Sequence, residues 1–287
     1  MTIAITGATG HLGNKVLEEL LYQKVNDRLV TVVRNEEKAK SQFSTDIEVR
    51  YGDYNDLASL VTAFQGIDKL LFISSPSNDD MERTVQHATV VRAARDAGVS
   101  HIYYTSISNA DHSTISLAKL HVATEAIIKV SGLDYTFIRN PLYTEVFINP
   151  TLKESVESGM LVSNTGSGKL NTSSRNDIAK AITQLLMNDE FKKQIIDLAA
   201  SSTWSFQELA DTISKISQKE VHYKAVSKNE AVDYFTSIGL SEPGAQFTAS
   251  LYDAIEKGDI EQTHTEIKEL IGKETTLEEA VAQAISS

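Results

Sequence analysis

The chain contains no cysteine. Disulfides, thiolate metal sites and cysteine nucleophiles are excluded together, and the composition suits a reducing compartment. There is no apolar run long enough for a signal peptide or a membrane span. Met1 leads almost at once into Ile3, Ala4 and Ile5, with no basic leader. The expectation is a cytoplasmic protein without a membrane partner. Positive charge is also scarce: 27 Lys and Arg stand against 39 Asp and Glu, a formal net charge of −12. Such a surface repels a polyanion, so nucleic acid is not an expected partner. Any anionic ligand has to be held by a local device, such as a helix N-terminus or a well-placed arginine. No G-x-S-x-G elbow or other hydrolase pattern occurs.

What is present is an ordinary globular composition, 41% hydrophobic over 287 residues, enough for a sizeable core. Short β-branched runs predict strands at Thr2–Thr6, Leu29–Val33, Ile47–Arg50, Lys69–Ile73, Ile102–Thr105 and Tyr135–Ile138. Between them, apolar residues at helical spacing predict helices at about Leu12–Tyr22, Glu36–Phe43, Leu57–Phe64, Met81–Ala97 and Ile115–Val130. This alternation predicts an α/β fold, a Rossmann-like doubly wound parallel sheet with right-handed crossovers. After Pro141 the rhythm changes. Gly159–Lys169 reads as loop, Asp177–Met187 as a helix capped by Asp177, and Gln194–Leu198 as a seventh strand. From Ser205 onward the pattern is mainly helical, predicting a smaller C-terminal lobe in which Trp204 and Phe147 are packing residues.

The most informative motif is Thr6-Gly7-Ala8-Thr9-Gly10-His11-Leu12-Gly13, set between an apolar strand and an amphipathic helix. Gly7 permits the tight turn, Gly10 lets backbone approach a pyrophosphate, and Gly13 lets helix pack on strand. The helix N-terminus adds free N–H groups and a positive dipole. A dinucleotide site is therefore predicted, with Gly7, Ala8, Thr9, Gly10, His11, Leu12 and Gly13 around the phosphates. The second strand ends at Val33-Arg34, where an NAD site would place an acid. Arg34, with Lys38 one helical turn on, suits a 2′-phosphate, so NADP(H) is the preferred cofactor and NAD(H) a possible one. Ser74, Ser75 and Pro76 follow the fourth strand, beneath the expected nicotinamide ribose. Residues 1–142, continued by about 171–200, would form the NAD(P)-binding core. Residues 143–170 and 201–287 would form the lobe that covers the substrate.

Thr165-Gly166-Ser167-Gly168-Lys169 imitates a phosphate loop, but Ser163 occupies the first glycine position and Leu170 the Ser/Thr position. His121 and Glu125 have the four-residue spacing of metal ligands, yet no second histidine pair or cysteine supports them, so no metal is expected. None of the ten tyrosines is followed four residues later by lysine. A simple alkoxide needs a positioned acid as it forms. Hydride addition to a quinone gives a stabilised aromatic oxyanion instead, and addition to a triarylmethyl cation needs no proton at all. For such planar small-molecule acceptors, catalysis can rest on juxtaposing two flat partners. Loss of catalysis is the other consequence compatible with the missing tyrosine.

The TGATGxxG turn resembles that of the extended and atypical short-chain dehydrogenase/reductases. With VVRNEEKA, YGDYND, LLFIS, AARDAGVSHIYYTS, LAKLHVATE, YTFIRNPLYTE and ESGMLVSNTGSGKLNTSSRND, the chain resembles the NmrA-like branch of that group over nearly its whole length. The resemblance implies NADP(H) in the Rossmann cleft, no flavin, and an apolar pocket under the second lobe. It implies reduction of quinones or similar conjugated acceptors such as triarylmethane dyes. It also carries an alternative, a non-catalytic NADP(H)-binding redox sensor. Asp53 falls where the extended enzymes place an acid near the adenine, and Thr105-Ser106 where they keep a Ser or Thr. Alignment on Glu125 puts His121 at their lysine position and Leu117 at their tyrosine position. His121, Asn140 and Tyr143 would then line the reacting end, His121 at the nicotinamide ribose, Asn140 at the carboxamide and Tyr143 stacked on the acceptor. Pro141 departs from the small residue expected there, which implies a reshaped pocket floor. A monomer or homodimer is expected.

Arg34→Ala is expected to weaken NADPH binding far more than NADH binding in a fluorescence titration. Equal losses would remove Arg34 from 2′-phosphate recognition.

Overall fold

The computed structural model describes residues 1–44, 47–188, 190 and 194–286. The first half alternates as predicted: β1 (Thr2–Thr6), α1 (His11–Tyr22), β2 (Arg28–Val33), α2 (Glu36–Gln42), β3 (Glu48–Tyr51), α3 (Leu57–Ala63), β4 (Lys69–Phe72), α4 (Asp80–Asp96), β5 (His101–Ile107), α5 (Ser116–Ser131) and β6 (Asp134–Asn140). There follow β7 (Leu142–Tyr143), α6 (Thr144–Phe147), α7 (Leu152–Ser158), β8 (Met160–Ser163), β9 (Lys169–Leu170), β10 (Thr172–Ser173), α8 (Arg175–Met187), β11 (Gln194–Asp197), β12 (Trp204–Ser205), α9 (Phe206–Ser217), β13 (His222–Ala225), α10 (Lys228–Ser237), α11 (Glu242–Glu256), α12 (Glu266–Ile271) and α13 (Leu277–Ser286).

Seven of these strands form one parallel sheet in the order β11-β6-β5-β4-β1-β2-β3. Strand side chains alternate between two covered faces, so the strands read as continuous apolar runs. Ile3, Ile5, Leu71, Tyr103 and Ile138 pack under α1 and α8. Ala4, Val30, Leu70, Phe72, Ile102, Tyr104 and Phe137 pack under α3, α4 and α5. The chain reverses direction across the sheet between β1 and β4, and this switch point opens a crevice at the strands' carboxyl ends.

A third core lies beyond that edge, where Phe147, Leu152, Leu161, Leu170, Trp204, Phe206, Leu209, Ile213, Ile255 and Val281 meet. Phe147 and Trp204 are both buried here, with rings 5.9 Å apart at 80°. The Gly159–Lys169 stretch is not all loop. Met160–Ser163 pairs in parallel with His222–Ala225, a partner some sixty residues distant that local pattern does not announce. Gly168 is glycine for packing: a Cβ there would stand 2.4 Å from the Ile255 carbonyl oxygen of α11. Asp177 does not cap its helix. Ser174 is the N-cap and accepts the Asp177 N–H, while the Asp177 carboxylate accepts from Thr275 N at 2.8 Å.

One buried ion pair ties the strands beneath the crevice to a helix. Arg139 of β6 donates from Nε and Nη2 to the two Glu125 oxygens of α5 at 3.0 and 2.8 Å, and from Nη1 to Asp111 at 2.7 Å. Ser106 of β5 donates to Glu125 at 2.7 Å. Burial draws the Arg139 pKa down, but the bonds from Glu125 and Asp111 outweigh it and hold the guanidinium above its ordinary value. Glu125 is 2% exposed, so removing it would strand a buried charge. Glu125→Ala is expected to lower the unfolding free energy by about 3–5 kcal/mol in urea titration. A loss under about 1 kcal/mol would show that Asp111 and solvent satisfy Arg139 without it.

Candidate cofactor and acceptor site

The crevice is a cleft of about 650 Å³, walled by the β1–α1 turn, the ends of β2, β3 and β4, and the start of α4. Its shape follows from three glycines. Gly7 sits at φ +63°, and its carbonyl accepts the Gly10 N–H at 2.9 Å, closing the turn. Gly13 faces inward: a Cβ there would lie 2.5 Å from the Gly7 oxygen and 2.8 Å from Ala8 Cα. Gly10 is the N-cap of the twelve-residue α1, supplies no side-chain cap, and is followed by no acid in the first turn. The amides of that turn are left to a ligand. Gly7, Thr9 and Gly10 line the cleft. Ala8, Leu12 and Gly13 are buried behind it, shaping the turn from within, and His11 is exposed outside the wall.

At one end, Arg34 and Lys38 line the cleft and form no ion pair among the described residues. Asn35, also on the wall, caps α2 by accepting the Lys38 N–H at 2.9 Å. Asp53 lines the floor, its carboxylate accepting the Asn55 N–H. Tyr54 crosses from the β3 side, its hydroxyl 2.6 Å from Thr6 Oγ1 and 2.7 Å from the Ile73 carbonyl, pinning the ends of β1 and β4 together. Burial pushes the Tyr54 phenol pKa up, against opposing pulls from the Thr6 bond and Arg34.

At the other end, Ser74, Ser75 and Pro76 line the cleft with Ser77 and Gln86. Thr105 Oγ1 accepts the Ser74 N–H at 3.0 Å and so supports the wall from behind, whereas Ser106 is committed to Glu125; neither lines the cleft. His121 is 4% exposed and does not line the cleft. Its Nδ1 lies 2.7 Å from the Tyr104 hydroxyl. Burial, reinforced by the positive charge of Arg83 and by His87, drops its pKa to about 3. His87 behaves likewise, lowered to about 3 by burial and then Arg83. Glu125 binds Arg139 and His121 binds Tyr104, so their metal-like spacing is used otherwise. Leu117, at the tyrosine position of the alignment, packs with Ile107, Ala110 and Ala118.

Asn140 is 4% exposed, yet neither its Nδ2 nor its Oδ1 has a hydrogen-bond partner. It lies near enough to lower the Tyr143 pKa slightly, though without ordinary bond geometry; burial raises that pKa on balance. An orphaned buried amide is costly, and it matches the donor and acceptor of a carboxamide. The Tyr143 ring does not offer both faces to a planar molecule, because the Arg175 guanidinium stands over it at 4.4 Å, held by Glu145 at 3.4 Å. The glycine cradle and the two cations, unpaired among the described residues, fit NADP(H), whereas Asn140, at the end of β6, is not on the wall of this cleft.

Sequence reasoning did not find Tyr54, Gln86, His87, Tyr104, Arg83 or Arg175. Tyr54 sits beside Asp53 in YGDYND, and Arg83, Gln86 and His87 share one face of α4 by their spacing, which were the available signals. Tyr104 alternates with a core tyrosine and carried none.

The NmrA-like family model matches residues 1–281. Quinone oxidoreductase 2 of Escherichia coli K12 is 36% identical over 284 residues, covering 99% of this chain and 97% of that protein. The crystal structure of Citrobacter sp. triphenylmethane reductase complexed with NADP(H) superposes with a TM-score of 0.96 at 45% identity, over 99% of this chain and all of the other. The E. coli quinone oxidoreductase complexed with NADPH gives 0.93 at 36% identity, over 98% and 99%. The negative transcriptional regulator NmrA, at 16% identity and a TM-score of 0.79, shares the fold over 99% of this chain and 95% of its own.

The two buried histidines make stability depend on pH. Both pKa values lie below the unfolded value of 6.5, so below pH 6.5 the unfolded chain takes up protons that the folded one refuses. Their contribution is complete above pH 6.5 and drains away as pH falls towards 3. The slope is at most about 1.4 kcal/mol per pH unit for each histidine. Denaturant titrations should show a flat plateau near pH 7.5 and a decline from pH 6.5 to 5 that His87→Gln makes shallower. An unchanged slope in that variant would show that the native ring titrates normally.

Proposed function

The chain belongs to the NmrA-like family, and from this premise we propose that it is an NADPH-dependent reductase passing a hydride directly to quinones or similar planar conjugated acceptors, without flavin or metal. The observation that carries the reading is the cleft itself. An uncapped helix N-terminus and two cations without an ion-pair partner among the described residues line one end, Ser74, Ser75 and Pro76 line the other, and the orphaned amide of Asn140 stands off the wall at the end of β6. NADPH, when bound, supplies the hydride.

This chain's residues then have distinct tasks. The amides of the α1 first turn hold the pyrophosphate, and Arg34 and Lys38 hold the 2′-phosphate. Asn140 fixes the carboxamide and so the rotation of the ring it carries. Ser74, Ser75 and Pro76 bed the ribose. Leu117 provides no acid, which restricts the acceptors to those whose reduced form tolerates charge or has none to quench. Approach and alignment of two flat partners then supply most of the rate. The activities of the relatives, towards quinones and triphenylmethane dyes, are of this kind.

Stopped-flow mixing of the protein and NADPH with a panel of quinones and cationic dyes, no flavin added, is expected to show NADPH oxidation with several members. Tight NADP(H) binding with no oxidation across the panel would replace the reductase by the sensor reading.

A further inference from the structure

Neither Asn140 nor Leu117 lines the cofactor cleft, and the space beside them is a different one. A cavity of about 20 Å³ lies where Ser108 and Asn109 follow β5, Pro141 and Leu142 follow Asn140, and Ile260 of the second lobe crosses them. It holds about one water and no ring. Two lips close it. One is the β5–α5 loop, residues 108–115; the other is a strap, residues 258–264, between α11 and α12. The root of the loop is tied to the sheet. The Asn140 carbonyl accepts the Ser108 N–H at 2.8 Å, and Asp197 of β11 accepts from Ser108 Oγ at 2.7 Å and from the Asn109 N–H at 3.2 Å. The tip is tied to the strap. The Asp259 carboxylate accepts from Ser113 Oγ at 3.0 Å, from the Thr114 N–H at 2.9 and 3.1 Å and from Thr114 Oγ1 at 3.2 Å. The Asp259 carbonyl accepts from Asn109 Nδ2 at 3.3 Å. Little apolar packing backs this fastening: Ala110 belongs to a small buried cluster, whereas Asp111, His112 and Thr114 are exposed. A segment held by exposed polar bonds opens at lower cost than the strands beside it.

We propose that Asp259 is a latch on this seam, that the acceptor reaches the reacting end through it, and that the latch sets the size of acceptor admitted. The inference rests on the reductase reading above. Leu117, at the tyrosine position, packs with Ile107 and Ala110, so the seam adjoins the place where that reading puts the acceptor. The structure shows the fastened state, which has no room for a planar molecule. Parting the loop tip from the strap draws Ile260 and Gln262 away and uncovers the apolar floor of Ile107, Pro141 and Leu142. A flat apolar acceptor then buries one face there. The open state is the minor one, and the apparent affinity of an acceptor is reduced by the fraction of molecules that are open. A single ring needs a narrow parting and a triaryl compound a wide one, so the latch weighs most on bulky acceptors. One carboxylate gathers three donors of the loop, two of them on Thr114, which makes Asp259 the main fastening at the tip. Asp259 does not line the cofactor cleft; it is a positioning residue that acts on acceptor entry through the loop.

The test uses the full chain with Asp259→Ala, and with Asp259→Asn, which keeps one oxygen for the Thr114 N–H. Amide hydrogen exchange over residues 109–115 is expected to quicken about tenfold in Asp259→Ala and less in Asp259→Asn, with the β5 and β6 amides unchanged. Acceptor affinity is then titrated on the NADP⁺ complex, where no hydride is available and turnover cannot intervene. A cationic triarylmethane dye should bind Asp259→Ala about tenfold more tightly than the wild type, a single-ring quinone nearly equally, and NADP⁺ affinity should hold. With NADPH, dye KM should fall by the same factor while quinone KM stays. Unchanged exchange would show that Asp259 does not fasten the loop. Faster exchange with an equal gain for both acceptors, or with none, would overturn the control of size and leave Asp259 a purely structural contact. Binding of neither acceptor to either protein would overturn the seam as an entrance. Binding as expected, with no NADPH oxidation by either acceptor, would refute the reductase reading and leave the latch standing.

Discussion

The first turn of α1 lies against the turn leaving β1 so closely that a single methyl group at Gly13 would stand 2.5 Å from the Gly7 carbonyl. Everything at the cleft follows from that approach. It sets the helix axis at the carboxyl end of the central strand and directs its free amides into the crevice. It also places the crevice at the one point where strand order reverses. Backbone, not side chain, thus forms this end of the crevice, and in the proposed reading this is how a chain of net charge −12 would hold a polyanionic cofactor. The positive charge on the cleft wall is local, at Arg34 and Lys38.

The opposite end is organised by burial. His87, Tyr104 and His121 are enclosed between the sheet and two helices, so burial keeps the imidazoles neutral, and the Ser75 N–H fixes the hydrogen of His87 on Nδ1. The Arg139–Glu125 pair below them ties β6 to α5. With Leu117 at the tyrosine position, the proposed chemistry suits products that can carry a negative charge until water reaches them.

Much of this was legible in the residues. The glycine turn, the seven parallel strands and the acid-free end of β2 are local patterns, and local patterns survive folding. The loss of the tyrosine could be seen because its position is fixed by Glu125. What could not be read was set by partners distant in sequence. The β8–β13 pairing joins segments some sixty residues apart. Tyr143 seemed free to stack on a substrate until Arg175, thirty-two residues later, was found over its ring. His121 was singled out from its place on α5, but its burial against Tyr104 was hidden, because Tyr104 looks like any other core residue of a buried strand. Ser174, and not Asp177, caps α8, because Asp177 turns to the backbone of Thr275 almost a hundred residues on.

Direct transfer between two flat partners is the claim on which the functional reading stands. Its most immediate measurement is isotopic: reduction of a cationic triarylmethane dye in ordinary water with NADPH deuterated at either face of C4, followed by mass analysis of the colourless product. Transfer without an intermediary predicts one deuterium on the central carbon from one of the two labelled forms and none from the other. A product free of deuterium from both would mean that the hydrogen came through solvent or another carrier, and would contradict it.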